Sequence, residues 1–208
     1  MTNYFVLTFD DGFIHHYEMA KMLYRSDMLA SFYIITCLCK YRGMPLLMKR
    51  PRYIREIYDM GHEIGSHTHT HRNLTLLQPL EIEREFQISL EVLSKIIKSD
   101  IKGVAYPYGA FNDNVVSIAK KYFRYGRTIG KTNRWNEKID PYRIGSMSIK
   151  HLIKYPFKVL TKQVRLVVLT FHDESLSIIR LIVELLKTLN VRVLPLSEAL
   201  ERLGVLRQ

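Results

Sequence analysis

Apolar and polar positions divide the chain into strand-like and helix-like runs that alternate from end to end. YFVLTF (4–9) reads as a first strand, and IHHYEMAKMLYRSD (14–27) reads as a helix. ASFYIIT (30–36), rich in β-branched and aromatic residues, is a second strand. The basic stretch KYRGMPLLMKRPRY (40–53) reads as a loop leading into a helix around IREIYDMG (54–61), and HEIGSH (62–67) as a short third strand. In EIEREFQISLEVLSKIIK (81–98), Ile82, Phe86, Leu90, Leu93 and Ile97 recur at spacings of four, four, three and four. That is the period of an amphipathic helix.

Beyond it, IKGVAYP (101–107) predicts a strand, NDNVVSIAKKYF (112–123) a helix and YGRTI (125–129) a short strand. TNRWNEKIDPYR (132–143) is irregular, RIGSMSI (143–149) fits a strand, and VRLVVLTF (164–171) is apolar enough for a buried one. ESLSIIRLIVELLKTLN (174–190) is helical, VRVLPL (191–196) a last strand, and SEALERLGVL (197–206) a last helix with Ser197 as its cap. No internal repeat, low-complexity linker or break interrupts the series, so residues 1–208 are expected to form one domain. Repeated strand–helix units of this length imply a parallel sheet, open or closed into a barrel.

The polar clusters follow the strands. DDG (10–12), SHTHTH (66–71), YPYG (106–109) and FHD (171–173) each come just after one. The carboxyl ends of parallel strands are where such folds place their active sites. Adjacent carboxylates at Asp10 and Asp11 repel unless the strand has simply reached solvent or a cation or proton lies between them. His67 and His71, four apart, share a face if their segment makes a helical turn, with His69 directed elsewhere. Two neutral imidazoles and one carboxylate make an open hydrolytic zinc site.

TFDDG (8–12), SHTHTH, YPYG and LTFH (169–172), in this order and spacing, resemble the polysaccharide deacetylases. This is the NodB-homology group, carbohydrate esterase family 4, and the resemblance runs from about residue 4 to residue 200. It implies an α/β fold, a distorted (β/α) barrel of about seven parallel strands. It also implies one divalent metal ion, zinc foremost with cobalt or nickel as alternatives, held by Asp11, His67 and His71. Asp10 matches the general base, His172 the general acid that protonates the departing amine, and Tyr108 the position whose backbone N–H helps to hold the oxyanion.

Two departures accompany the match. The third motif of the family usually begins with arginine, and Ala105 stands in its place, although a branch of the family shares AYPYG. Arg143, in DPYRIG, is the candidate to steady Asp10 instead. The fourth motif is unrecognisable, which leaves Asp140 as the candidate to orient His172. Trp135 is expected to pack against the barrel rather than stack on a sugar. His15 and His16 read as solvated helix residues, His62 as a strand start, and His151 has no evident partner.

Charge leaves the partner open. Thirty-one Lys and Arg against 20 Asp and Glu give +11, which fits an anionic partner (nucleic acid, phosphorylated lipid head groups or an acidic glycan, with a phosphate-linked sugar as one substrate of that kind) and equally a basic protein with no such partner. No arginine-rich tail or aromatic RNA-binding pattern points to specific nucleic acid. The cationic residues around Lys49, Arg50 and Arg52 suit a solvated loop, with peripheral contact to phosphate or a membrane surface as the alternative. Cys37 and Cys39 read as two buried thiols in a reducing compartment. No run reaches the length of a membrane span and no leader precedes Tyr4, so a cytoplasmic location is expected unless a leader was trimmed.

The reading is a metal-dependent hydrolase that removes acetyl groups from an N-acetylated sugar or glycan. Two alternatives stay open: a hydrolase of the same fold acting on cyclic amides or ureides, and a glycan- or polyanion-binding protein that has lost catalysis. Retention of both aspartates and both histidines argues against a metal-free version of the first.

Overall fold

The computed structural model describes residues 4–130, 133–134, 138–149 and 164–206; Trp135 and His151 lie outside them. The strands are β1 (Tyr4–Phe9), β2 (Ser31–Ile34), β3 (Lys40–Tyr41), β4 (Met44–Pro45), β5 (Glu63–Ser66), β6 (Gly103–Ala105), β7 (Tyr125–Arg127), β8 (Asn133–Arg134), β9 (Met147–Ser148), β10 (Val164–Phe171) and β11 (Arg192–Val193). The helices are α1 (His16–Tyr24), α2 (Pro51–Asp59), α3 (Pro79–Ile97), α4 (Asp113–Tyr122), α5 (Leu176–Thr188) and α6 (Leu196–Arg202).

The sheet runs in the order β7-β6-β5-β2-β1-β10-β8, and only the β10–β8 pairing is antiparallel. Residues 144–148 then close the ring. Ile144 bridges Arg127 of β7, and β9 pairs with Leu169 and Thr170 of β10, both parallel. Counting that segment, seven parallel staves surround the interior, which is the distorted barrel expected from the sequence.

The two-residue period of β1 sorts its side chains between two cores. Phe5, Leu7 and Phe9 pack outward with Met19, Leu23 and Ile57 of the helices. Val6 joins Tyr33, Tyr125, Leu166 and Val168 inside. Glycines at 65 and 103 give the interior tyrosines room, since a Cβ would stand 2.5 Å from the Tyr33 ring and 1.9 Å from the Tyr125 ring. Leu196, Ala199 and Leu200 of α6 pack against this same interior, so α6 plugs one end of the barrel. The strand carboxyl ends are left open.

α3 is the helix its spacing foretold. Ile82, Phe86, Leu93 and Ile97 are buried and Leu90 is half-buried against the same core. Its start is fixed by a capping box between Gln78 and Glu81 and by Pro79 in the first turn. Four expectations need correction. The basic stretch is no plain loop: it folds as the β3–β4 hairpin and a short 3-10 turn, and α2 begins at Pro51. Ser197 lies inside α6, whose cap position is Pro195. Cys37 and Cys39 are free and exposed, because the chain leaves β2 before reaching them. His16 is wholly buried, ringed by Phe9 and Phe13.

Candidate active site

Val6, Thr8 and Asp10 share the interior phase of β1, and Asp10 extends the strand pairing through its N–H to Phe171 O at 2.9 Å. A regular strand would send Asp11 to the opposite face. Instead Asp11 takes a left-handed conformation, φ 67°, which returns its carboxylate to the Asp10 side. Both carboxyls are buried. The same device acts after β5. Residues 67–71 do not make the helical turn that was one way to put both imidazoles on one face; Thr68 (φ 65°) and His71 (φ 59°) are left-handed and fold the loop back on itself.

These loops bring three donor atoms together. Nε2 of His67 and of His71 lie 3.2 Å apart, and each lies 3.5 Å from Asp11 Oδ1. Four ligands placed tetrahedrally about 2.05 Å from zinc are about 3.3–3.4 Å from one another, so the triangle has the dimensions of a zinc face. The donor chemistry agrees. His67 Nδ1 is 2.8 Å from Ala105 O, so the ring proton sits there and leaves Nε2 its lone pair. Burial pushes the pKa of both imidazoles down to about 4, which keeps them in the neutral form a cation requires. His69 turns away to Thr36, Nδ1 to Oγ1 2.9 Å.

Asp10 is next to this triangle but bonded elsewhere. Its Oδ1 accepts a hydrogen bond from Arg127 Nη2 in a wholly buried ion pair. Burial alone would raise the Asp10 carboxyl; Arg127, His67 and His172 outweigh it and hold its pKa below the ordinary value. Asp11 is raised, first by burial and then by the charge of Asp10. The Arg127 guanidinium also lies over the Tyr33 ring at 5.2 Å and reaches Ser146 Oγ at 3.4 Å. Ser146 accepts from Thr170, which meets Thr8, and this belt of hydroxyls floors the site.

Arg143, the sequence candidate, does not serve Asp10. Its guanidinium binds Asp140 (2.6 Å) and Asp113 (2.5 Å) on the outside of the barrel. Asp140 therefore does not orient His172 either; it is taken by Arg143 and the Tyr142 N–H. Arg127 was missed because the relationship that reveals it is lateral. In the β6–β7 register Arg127 is the direct partner of Ala105, so the arginine stands one strand away from its usual place at the same height. The available signal was a lone cation inside the strand-like YGRTI.

His172 continues the interior phase of β10, and its Nε2 is 3.6 Å from Asp10 Oδ2. Its backbone is pinned on both sides: the N–H donates to Glu174 Oε2 and the carbonyl lies 2.6 Å from His16 Nε2. Burial pushes the His16 pKa down to about 3, so this imidazole stays neutral and donates to the carbonyl. Tyr108 is left-handed (φ 60°) and exposed, with its ring 4.8 Å from that of His71. Asp10, Asp11, His67, His71, His172 and Tyr108 thus meet at one mouth; Arg143 and Asp140 do not.

Comparison with known proteins places this arrangement. A gellan lyase of Bacillus sp is 31% identical over 135 residues, 64% of this chain and 5% of that protein. A chitooligosaccharide deacetylase of Sinorhizobium fredii (strain NBRC 101917 / NGR234) is 27% identical over 116 residues, 54% of this chain and 50% of the relative. The chain therefore spans at most half the length of these curated relatives. The solved Bc1960 peptidoglycan N-acetylglucosamine deacetylase shares the fold, with a TM-score of 0.71 at 18% identity across 95% of this chain and 88% of that one. The polysaccharide deacetylase family model matches residues 2–124, more than half of the chain and including the aspartate, histidine and tyrosine loops, and the chain belongs to that family.

Proposed function

We propose that the protein is a metal-dependent hydrolase that removes the acetyl group from an N-acetylated sugar, a linear amide. The donor triangle of Asp11, His67 and His71 beside the Arg127-held Asp10 carries this reading. Those three residues would hold one divalent ion, zinc by its preference for two imidazoles and a carboxylate. When bound, such an ion polarises the amide carbonyl and brings the pKa of water down to about 7.

The chain's own groups do the proton work. Asp10, ionised by its arginine, takes the proton from the attacking water. His172, on the other side of Asp10 from Arg127, gives a proton to the departing nitrogen, which an amide needs because the amide anion is too poor a leaving group. Tyr108 supplies a backbone N–H to the oxygen that gains charge in the tetrahedral state. The chitooligosaccharide deacetylase among the relatives supports an amino-sugar substrate.

The test is acetate release from N-acetyl-chito-oligosaccharides, with metal content measured by elemental analysis. Zinc-loaded protein should release acetate and chelated protein should not. Asp10→Asn should keep the metal and lose about 10²–10⁴-fold in kcat, whereas Asp11→Asn should lose the metal itself. Full zinc occupancy with no turnover on any N-acetylated sugar would mark a binding protein instead. Equal metal loss in both variants would overturn the division of roles.

A further inference from the structure

The β3–β4 hairpin stands beside the site and is bonded to the loop that holds the aspartates. Leu47 N–H donates to Gly12 O at 2.7 Å, Ile14 N–H to Pro45 O at 2.9 Å, and Phe13 bridges Leu46. Phe13, Ile35 and Leu46 form a small buried core beneath it, on which Leu38, Tyr41 and Met44 pack. The hairpin is therefore part of the wall. Its turn residues Arg42 (φ 47°) and Gly43 (φ 81°) both have positive φ, as a two-residue primed turn requires, and this fixes Arg42 at the tip.

Arg42 belongs to a short chain of ring contacts that ends on a metal-ligand candidate. Its guanidinium lies over the Tyr41 ring at 5.4 Å, and the Tyr41 ring meets His71 edge-on at 5.1 Å. Tyr41 also approaches Tyr108; burial first and this neighbour second raise its phenol pKa. Arg42 is exposed and forms no ion pair with a carboxylate among the described residues. Its charge is nonetheless felt at Asp11 and His71. Asp173 and Glu174 follow His172, whose N–H donates to Glu174 Oε2. The hairpin side of the mouth carries a cation over an aromatic ring.

We propose that Arg42, seated on Tyr41, selects substrates in which the N-acetylated sugar, or the residue next to it, carries an anionic oxygen group, a phosphate or a carboxylate. A planar guanidinium matches either group bidentately, and Tyr41 holds it in place by stacking. The ring contacts set the reach, since the guanidinium is one aromatic ring removed from His71. This selection rests on the deacetylase reading and names its substrate class.

The experiment compares zinc-loaded wild type with Arg42→Ala at fixed ionic strength. The substrates are a neutral N-acetyl-chito-oligosaccharide, N-acetylglucosamine 1-phosphate and N-acetylmuramic acid. The ratio of kcat/KM for an anionic substrate to that for the neutral one should fall about tenfold in Arg42→Ala, through KM, and Arg42→Lys should restore part of it. A fall confined to the phosphate or to the carboxylate arm identifies which source the site reads. An unchanged ratio in both arms overturns the proposal. If no substrate releases acetate, the deacetylase reading fails separately, and calorimetric binding of N-acetylglucosamine 1-phosphate still decides. A Kd about tenfold weaker in Arg42→Ala upholds the anion site; equal Kd values overturn it.

Discussion

Arg127 fixes the ionisation of Asp10, and its removal has a definite sign. Without the guanidinium, burial pushes the Asp10 carboxyl upward unopposed by its strongest partner. The acid limb of the kcat/KM profile should therefore move to higher pH in Arg127→Met, with a lower plateau and metal content unchanged. Arg127→Lys should recover part of the shift. A profile that drops in height without moving would make Arg127 a packing residue only. Because Arg127 and Ala105 are register partners, the double variant Ala105→Arg with Arg127→Ala returns the cation to the neighbouring strand at the same height and should regain activity over Arg127→Ala alone. The convergence of Asp10, Asp11, His67, His71 and His172 was legible because each follows a strand in a short, chemically specific word. Arg127 was not, because strand pairing brings it to Asp10 across 117 positions of sequence and no local pattern encodes that.

α3 does more than cover the sheet: it clamps the loop that carries both histidines. Glu85, buried within the helix, accepts from the Thr70 N–H at 2.7 Å and from its hydroxyl, and Ser89 Oγ lies 2.7 Å from Ser66 Oγ. Ser66 in turn accepts from the Thr68 N–H, and Thr68 from the His71 N–H. Glu85→Ala would leave the Thr70 donor without its carboxylate and free a loop that depends on two left-handed residues, at a cost of about 1–3 kcal/mol. Zinc affinity, read by competition with a chromophoric chelator, should weaken about tenfold, the lower range for supporting groups of metal ligands. Glu85→Gln, which keeps one acceptor, should fall between. Affinity equal to wild type in Glu85→Ala would show that the loop holds its own shape. Helical periodicity exposed α3 but not this duty, since a charged residue on the buried face breaks the pattern and its partner belongs to another element. The β3–β4 hairpin escaped for a different reason: strands of two residues are too short to display a period.

Taken as a whole, the barrel is built around histidines that fold neutral, and this makes its stability depend on pH. His62 is the cleanest case because it stands at the closed end, away from the triangle of Asp11, His67 and His71. It is buried, accepts from the Ala30 N–H at 3.1 Å and meets Ala20 O at 3.0 Å. Burial pushes its pKa down to about 4, against about 6.5 in an unfolded chain. Between those values the unfolded state binds the extra proton, so stability rises with pH there; the contribution is complete above about 6.5 and lost as the pH falls toward 4. The slope from this one residue approaches about 1.4 kcal/mol per pH unit. The chain's charge of +11 adds to it, because each further proton meets a molecule already strongly cationic. Urea midpoints of chelator-treated protein at pH 7.5 and pH 5 should therefore differ widely in wild type. His62→Gln should be less stable at pH 7.5 yet lose less on acidification, since its amide does not titrate. Parallel losses in the two proteins would mean that His62 is protonated in the fold and that the acid sensitivity arises at His16 and the site histidines.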